Sequence, residues 1–248
     1  CVIGDEAHLY KSKELQKIMS ACVNAKYRVG TTGTLDDSKV HKLVLEGLFG
    51  PVHNVTTTRE LIDKEQLADL KIQCLILKYS KEECMNVKRL NYQEEMDYIV
   101  THQKRNNFIK NLAKTQIGNT LVLFQYVEKH GRFLHDLIGD TLDHQSITEN
   151  ENNAIIVASY GTFSTGINIR NLHNVIFASP TKSKIRVLQS LGRGLRLGDD
   201  KTKATLYDIA DDFSYKERKN FTLNHFMERI NIYSEQEFDY ELHHVDIT

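Results

Sequence analysis

Short apolar runs alternate with helix-period stretches along almost the whole chain, and this alternation narrows the fold more than any other feature. Strand-like runs are read at residues 2–3, 27–30, 72–77, 120–124, 154–158, 174–178 and 204–209. Helical stretches are read at residues 13–21, 92–116, 127–138, 183–192 and 216–233. Strands separated by helices build βαβ units, so the expected class is α/β with a parallel sheet. The stretch from Tyr92 has the clearest helical period, carried by Met96, Ile99, Val100, Phe108, Leu112 and Ala113. Its charged remainder, with Lys104, Arg105 and Lys110, is assigned to a solvated face.

The 248 residues are 40% hydrophobic and 26% charged, enough for an ordinary core and against wholesale disorder. No apolar run approaches the roughly 18 residues of a membrane span, so no membrane role is expected. Cys1, Cys22, Cys74 and Cys84 form no CxxC pair, which fits a reducing compartment better than a disulfide framework or a zinc site. The net charge of −1 excludes a histone-like basic binder. A local bias survives within it: residues 182–203 hold seven basic side chains against two acidic ones.

Residues 54–71, NVTTTRELIDKEQLADLK, separate the first strands from a new βα series. The expected domains are therefore residues 1–70 and 71–248. The polar stretch 139–153 is too short for a full strand and helix. The chain opens inside a strand-like run, CVIGDEAH, and a buried strand needs neighbours on both sides. The expectation is the C-terminal part of a longer protein.

Four segments carry chemistry. VIGDEAH leads an apolar strand into Asp5 and Glu6. Paired acids there suit a nucleotide hydrolase, one holding Mg²⁺ on phosphates and the other orienting water; a plain acidic turn is the simpler alternative. RVGTTGTL, residues 28–35, sets small hydroxyl and glycine residues after a strand, where backbone amides approach a phosphate or polar partner. IIVASYGTFSTGINI, residues 155–169, runs a strand into a Ser/Thr/Gly loop suited to nucleic-acid phosphates. QSLGRGLRLG, residues 189–198, places Arg193 and Arg196 three apart, on one side of a helical turn, between glycines. Two such guanidinium groups are able to stabilise a transferring phosphoryl group; a solvated basic helix end is the alternative.

In this order the four segments resemble the second half of a superfamily two helicase or translocase. The stretches YQEE, ASYGTFSTGI, KSKIRVLQSLGRGLR and TKATLYDIADD resemble the branched-DNA helicases of phages in particular. The resemblance implies RecA-like lobes, with a remnant of the first followed by most of the second, and ATP in the cleft between them. It implies that Asp5 holds Mg²⁺, Glu6 activates water and His8 couples the nucleotide to other motifs. Thr32, Gly33 and Thr34 fall where hydrolysis is linked to lobe movement. Arg193 and Arg196 match arginine fingers, and Gln189, Gly166 and Asn168 match positions lining the nucleotide cleft. Phe124, Gln125, Tyr126, Ser164 and Thr165 match strand contacts, with Lys182 and Lys184 as phosphate contacts.

One departure is plain: no GxxxxGK[ST] phosphate loop occurs in the sequence. The expected function is part of an ATP-dependent DNA helicase that remodels branched DNA in repair, recombination or replication. ATP and Mg²⁺ are its cofactors and DNA its partner, in a monomer in the cytoplasm of a bacterium or a phage host. The alternatives are a double-stranded DNA translocase of a restriction system and a nucleic-acid-binding module without a motor. Phe221, Phe226, Ile230 and Tyr233 are read as one packing face of the last helix. His243 and His244 are read as tail residues that make a poor metal site.

Overall fold

A computed structural model describes residues 1–33, 35, 39–139, 153–164, 172–181 and 203–247. They form two compact units, Cys1–Thr57 and Thr58–Thr248, divided inside the stretch where the sequence changes character. The helix α3 (Thr58–Asp63) belongs with the second unit.

In the first unit, β1 (Val2–Gly4) and β2 (Arg28–Gly30) pair in parallel, Val2 opposite Arg28 and Gly4 opposite Gly30. The connection runs through a tight helical turn (Ala7–Lys11) and α1 (Lys13–Ala21). Ser12 starts α1 by accepting a hydrogen bond from the Leu15 amide at 3.3 Å, and Glu14 in the first turn favours the positive helix end. The helix α2 (Lys39–Phe49) was not anticipated. Its apolar stripe is blurred by Val40 and Leu43, both 68% exposed, and Gly47 lowers its helix propensity. Phe49 closes over the two glycines. A Cβ on Gly4 would sit 2.8 Å from its Cζ and one on Gly30 2.9 Å from its Cγ, so close approach demands glycine at both positions. Tyr10 meets the same ring edge-on at 5.1 Å.

The second unit is a six-stranded, all-parallel sheet in the order β5-β4-β6-β7-β3-β8. The strands are β3 (Asp69–Lys78), β4 (Asn119–Phe124), β5 (Ile155–Ser159), β6 (Leu172–Phe177), β7 (Lys203–Asp212) and β8 (Tyr240–Asp246). The helices α4 (Lys81–Val87), α5 (Tyr92–Thr101), α6 (Gln103–Thr115), α7 (Arg132–Ile138), α8 (Tyr160–Ser164) and α9 (Phe221–Glu235) surround it. Alternate residues of each strand point to opposite faces, and each face has its own apolar core. One is built from Ile72, Leu121, Leu206 and α9 residues such as Phe226 and Tyr233. The other is built from Leu77, Val122, Ile209 and α6 residues such as Ile109.

Several expectations are corrected. The single helix over 92–116 is two helices, because His102 leaves helical geometry at φ −69°, ψ 114°. Its Nδ1 accepts from the Arg105 amide at 3.2 Å, capping α6, which leaves Nε2 to donate to Glu83 Oε1 at 2.9 Å. Arg105 is not on a solvated face; it is fully buried on Asp211. His243 and His244 are not tail residues but lie in β8, an edge strand whose polar sequence gave no strand signal. Phe226 and Tyr233 are buried as expected, whereas Phe221 is 37% exposed. The expected helix over 183–192 lies outside the described residues, as does most of the short 139–153 stretch.

Candidate functional site

In the first unit the chain leaves β1 at Gly4 and turns sharply. Glu6 occupies the left-handed region at φ 47°, ψ 50°. A non-glycine residue held there stores about 1–2 kcal/mol of strain, which the surrounding bonds must hold. They do so from the strand end of β2. The Thr31 amide donates to the Gly4 carbonyl at 2.9 Å, and the Ala7 amide to the Thr31 carbonyl at 2.8 Å. The Asp5 carboxylate accepts from the Glu6 amide at 2.9 Å and from the Thr31 hydroxyl at 3.0 Å, both on Oδ1.

The buried His8 ring completes the link. Its Nδ1 lies 2.9 Å from Thr32 Oγ1 and 3.2 Å from Glu6 Oε2. Asp5, Glu6, His8 and Thr32 are therefore brought together by one turn and one strand end, while Gly33 follows as an open bend. Thr31 was missed: it sits inside the quoted TTG segment, but only the parallel register shows that it reaches Asp5. Asp5 and Thr31 offer hard oxygens, which suit Mg²⁺ in the usual manner of one or two protein oxygens completed by phosphates and water. Among the described residues no group of three His, Cys, Asp or Glu side chains gathers into a metal cage.

In the second unit, four described candidates lie at the carboxyl ends of β4 and β5, where open α/β sheets take their ligands. Phe124 is buried, and its ring packs so closely beneath Gly131 that a Cβ there would overlap it. Gln125 and Tyr126 are half-buried as the chain leaves β4. Ser164 is the last residue of α8. Thr34, Thr165, Gly166, Asn168, Lys182, Lys184, Gln189, Arg193 and Arg196 lie outside the described residues.

Sequence reasoning missed the polar groups that hold these strand ends. Ser179, just after β6, accepts through its hydroxyl from the Gln125 amide at 3.1 Å and lies 2.8 Å from His130 Nδ1. Its carbonyl accepts from the Tyr160 hydroxyl at 3.0 Å. His130 Nε2 lies 3.1 Å from Asn106 Oδ1. Burial, and then the nearby Arg105 charge, pull the His130 pKa down from 6.5 to about 3. The unfolded chain therefore binds a proton below pH 6.5 that the folded chain refuses until about pH 3, so stability falls across that window as pH drops. His130→Gln should reduce the stability lost between pH 7.5 and pH 5 by about 2 kcal/mol, read from urea unfolding at the two pH values.

Two aspartates of β7 anchor the layers. Asp211 accepts from Arg105 Nε at 2.7 Å and Nη2 at 3.1 Å, and from the Tyr79 hydroxyl at 2.6 Å. Asp208, on the opposite face, accepts from Arg229 Nη2 at 2.8 Å and from the Tyr233 hydroxyl at 2.7 Å. Arg229 Nη1 also donates to the Thr181 carbonyl at 2.8 Å, fixing the chain where it leaves β6. The TKATLYDIADD stretch thus contributes one buried Arg–Asp pair to each face of the sheet.

The all-parallel sheet with its flanking helices defines the class as an α/β, RecA-like fold, and the sequence is similar to a DNA helicase. The resemblance holds in sequence over nearly the whole chain. It is 34% identical to the ATP-dependent DNA helicase UvsW of Enterobacteria phage T4, across 99% of this chain and 55% of the helicase. The chain thus spans about half the length of the curated relative it matches. The crystal structure of T4 UvsW superposes with a TM-score of 0.63 at 32% identity, over 99% of this chain and 54% of that one. A DNA-bound Type ISP restriction-modification enzyme, LlaBIII, gives a TM-score of 0.61 at 16% identity, over 98% of this chain and 21% of that one, a likeness of fold alone. No family model matches the sequence.

Proposed function

We propose that this chain is part of an ATP-dependent DNA helicase, contributing the water-activating end of a first RecA-like lobe and a second lobe. The observation that carries the reading is the joined strand-end turn, in which Asp5 and Glu6 of the acidic segment are tied to Thr31 and Thr32 of the next. Bound Mg²⁺ and ATP would supply an electrophilic phosphoryl group. Asp5 would hold the metal through the oxygen that Thr31 does not engage, and Glu6 would orient and deprotonate the attacking water. The strained Glu6 backbone fixes that carboxylate beside His8, and His8 passes the state of the site to Thr32.

Arg193 and Arg196 would place positive charge on the transferring group, and Gln189, Gly166 and Asn168 would line the nucleotide. Gln125, Tyr126, Ser164, Thr165, Lys182 and Lys184 would contact the nucleic-acid backbone. The chain spans 55% of the length of the T4 helicase it matches, which supports a part in a larger enzyme. No phosphate loop occurs in this sequence. Ile3 and Val29, paired in register on β1 and β2, expose an apolar face at 69% and 46%. The likeness to a DNA helicase of phage T4 supports DNA as the substrate; we read that substrate as branched DNA in repair, recombination or replication, and the enzyme as a monomer in the cytoplasm. No described helix is long and apolar enough to cross a membrane.

The diagnostic variant is Thr32→Val, which removes the hydroxyl facing His8 and keeps the side-chain shape. In the complete helicase it should leave basal ATP hydrolysis in place and lower DNA stimulation by about 2- to 30-fold, the range for a residue on a coupling route. Unchanged stimulation in a steady-state assay would remove the coupling role from the Thr32–His8 contact.

A further inference from the structure

The YQEE segment and the turn after β7 have no part in the site above, yet the fold joins them. Glu95 is fully buried, and its carboxylate accepts from the Phe221 amide at 3.0 Å, the Thr222 amide at 2.7 Å and the Asn220 side chain at 3.1 Å. This ties the start of α5 to the start of α9 and brings two exposed rings together. Tyr92 and Phe221, 40% and 37% exposed, meet edge-on with centroids 6.1 Å apart.

Beside them, residues 215–218 close a tight turn. The Tyr215 amide donates to the Arg218 carbonyl at 3.0 Å, with Lys216 in the left-handed region. The turn sequence YKERK, residues 215–219, carries three basic side chains and one acidic. Cations stand over its aromatic rings: Lys88 Nζ is 5.4 Å from the Tyr215 ring centre, and the Arg218 guanidinium carbon 5.6 Å from that of Phe221. Arg218 also donates to the Lys88 carbonyl at 2.5 Å, tying the turn to the end of α4. The turn follows the end of β7 within three residues, so the surface borders the carboxyl end of that strand.

We propose that this aromatic and basic surface binds a single strand of nucleic acid, with bases stacking on Tyr92 and Phe221 and phosphates meeting the 215–219 turn and the end of α4. Exposed rings set among cations are what a single strand requires: every base has a face to stack, and every linkage a negative charge. An acidic protein surface would use the lysines but has no need of two exposed rings. The inference rests on the helicase reading and extends its strand path beyond the motif residues.

The test uses the full 248-residue chain and fluorescence anisotropy with a labelled oligothymidylate across a salt series. Lys216→Glu/Lys219→Glu should weaken binding by about tenfold or more at low salt, and should flatten the salt slope by roughly 1.4 for two phosphate contacts on a single strand. Tyr92→Ala should weaken binding by about 5- to 150-fold with the slope unchanged, the signature of a lost stacking contact. All three positions are exposed, and matching unfolding temperatures will confirm that the variants fold. If the parent chain binds the strand and both variants bind it equally, the surface assignment is overturned while the helicase reading stands. If the parent chain binds no strand at any salt, the assignment is also overturned, and ATP hydrolysis decides the helicase reading separately. Should labelled polyglutamate alone respond to the lysine variant, the surface belongs to an acidic protein instead.

Discussion

Asp211→Ala is expected to destabilise the second unit by about 3–5 kcal/mol, the cost of leaving a buried charge without its partner. Arg105 and Asp211 are both fully buried, and the bond joins α6 to the end of β7. Removing the carboxylate strands two guanidinium donors and the Tyr79 hydroxyl where no water reaches them. Arg105→Met with Asp211→Leu should recover much of the loss, because replacing both charges together removes the desolvation penalty as well. Urea unfolding followed by circular dichroism distinguishes the cases. A loss below 1 kcal/mol for Asp211→Ala would mean that the pair is open to water and does not hold the layers.

Glu6→Gln carries the largest expected effect on activity. In the complete helicase it should lower ATP turnover by about 10²–10⁴-fold, the contribution of a positioned general base. ATP and DNA binding should stay near the parent values, because the amide keeps the side-chain shape and leaves the His8–Thr32 contact in place, altering only the 3.2 Å contact between Glu6 and His8. The measurement pairs steady-state hydrolysis with nucleotide binding at equilibrium. Near-normal turnover would take the base away from Glu6, and a large loss of nucleotide affinity would make it a binding residue instead.

How far these groups were legible in the sequence depends on how local their signals are. Lys13–Ala21 lies where the sequence reads as helical, and its start is fixed locally by Ser12, which caps an amide three residues on. The acidic pair at the end of β1 was legible for the same reason, as a short apolar run stops at Asp5. Arg105 was misread because its period along α6 gives no hint of a partner 106 residues away. Thr31 reaches Asp5 only through the parallel register of β1 and β2, which no spacing rule supplies. His102 looks like one more polar helix residue until its ring is seen capping the next helix. β8 was lost because its sequence, YELHHVD, is polar on both faces and is held by pairing with β3.

The most direct test of the central claim is ATP hydrolysis, with and without branched DNA, by this chain alone and by the polypeptide that joins it to the coding sequence upstream. The account predicts hydrolysis in the longer form, raised by branched DNA, and almost none in the 248-residue chain, whose sequence has no phosphate loop. A longer polypeptide with no phosphate loop and no DNA-dependent hydrolysis would contradict it, and would make the chain a nucleic-acid-binding module whose Asp5, Glu6, Arg193 and Arg196 no longer work on a nucleotide.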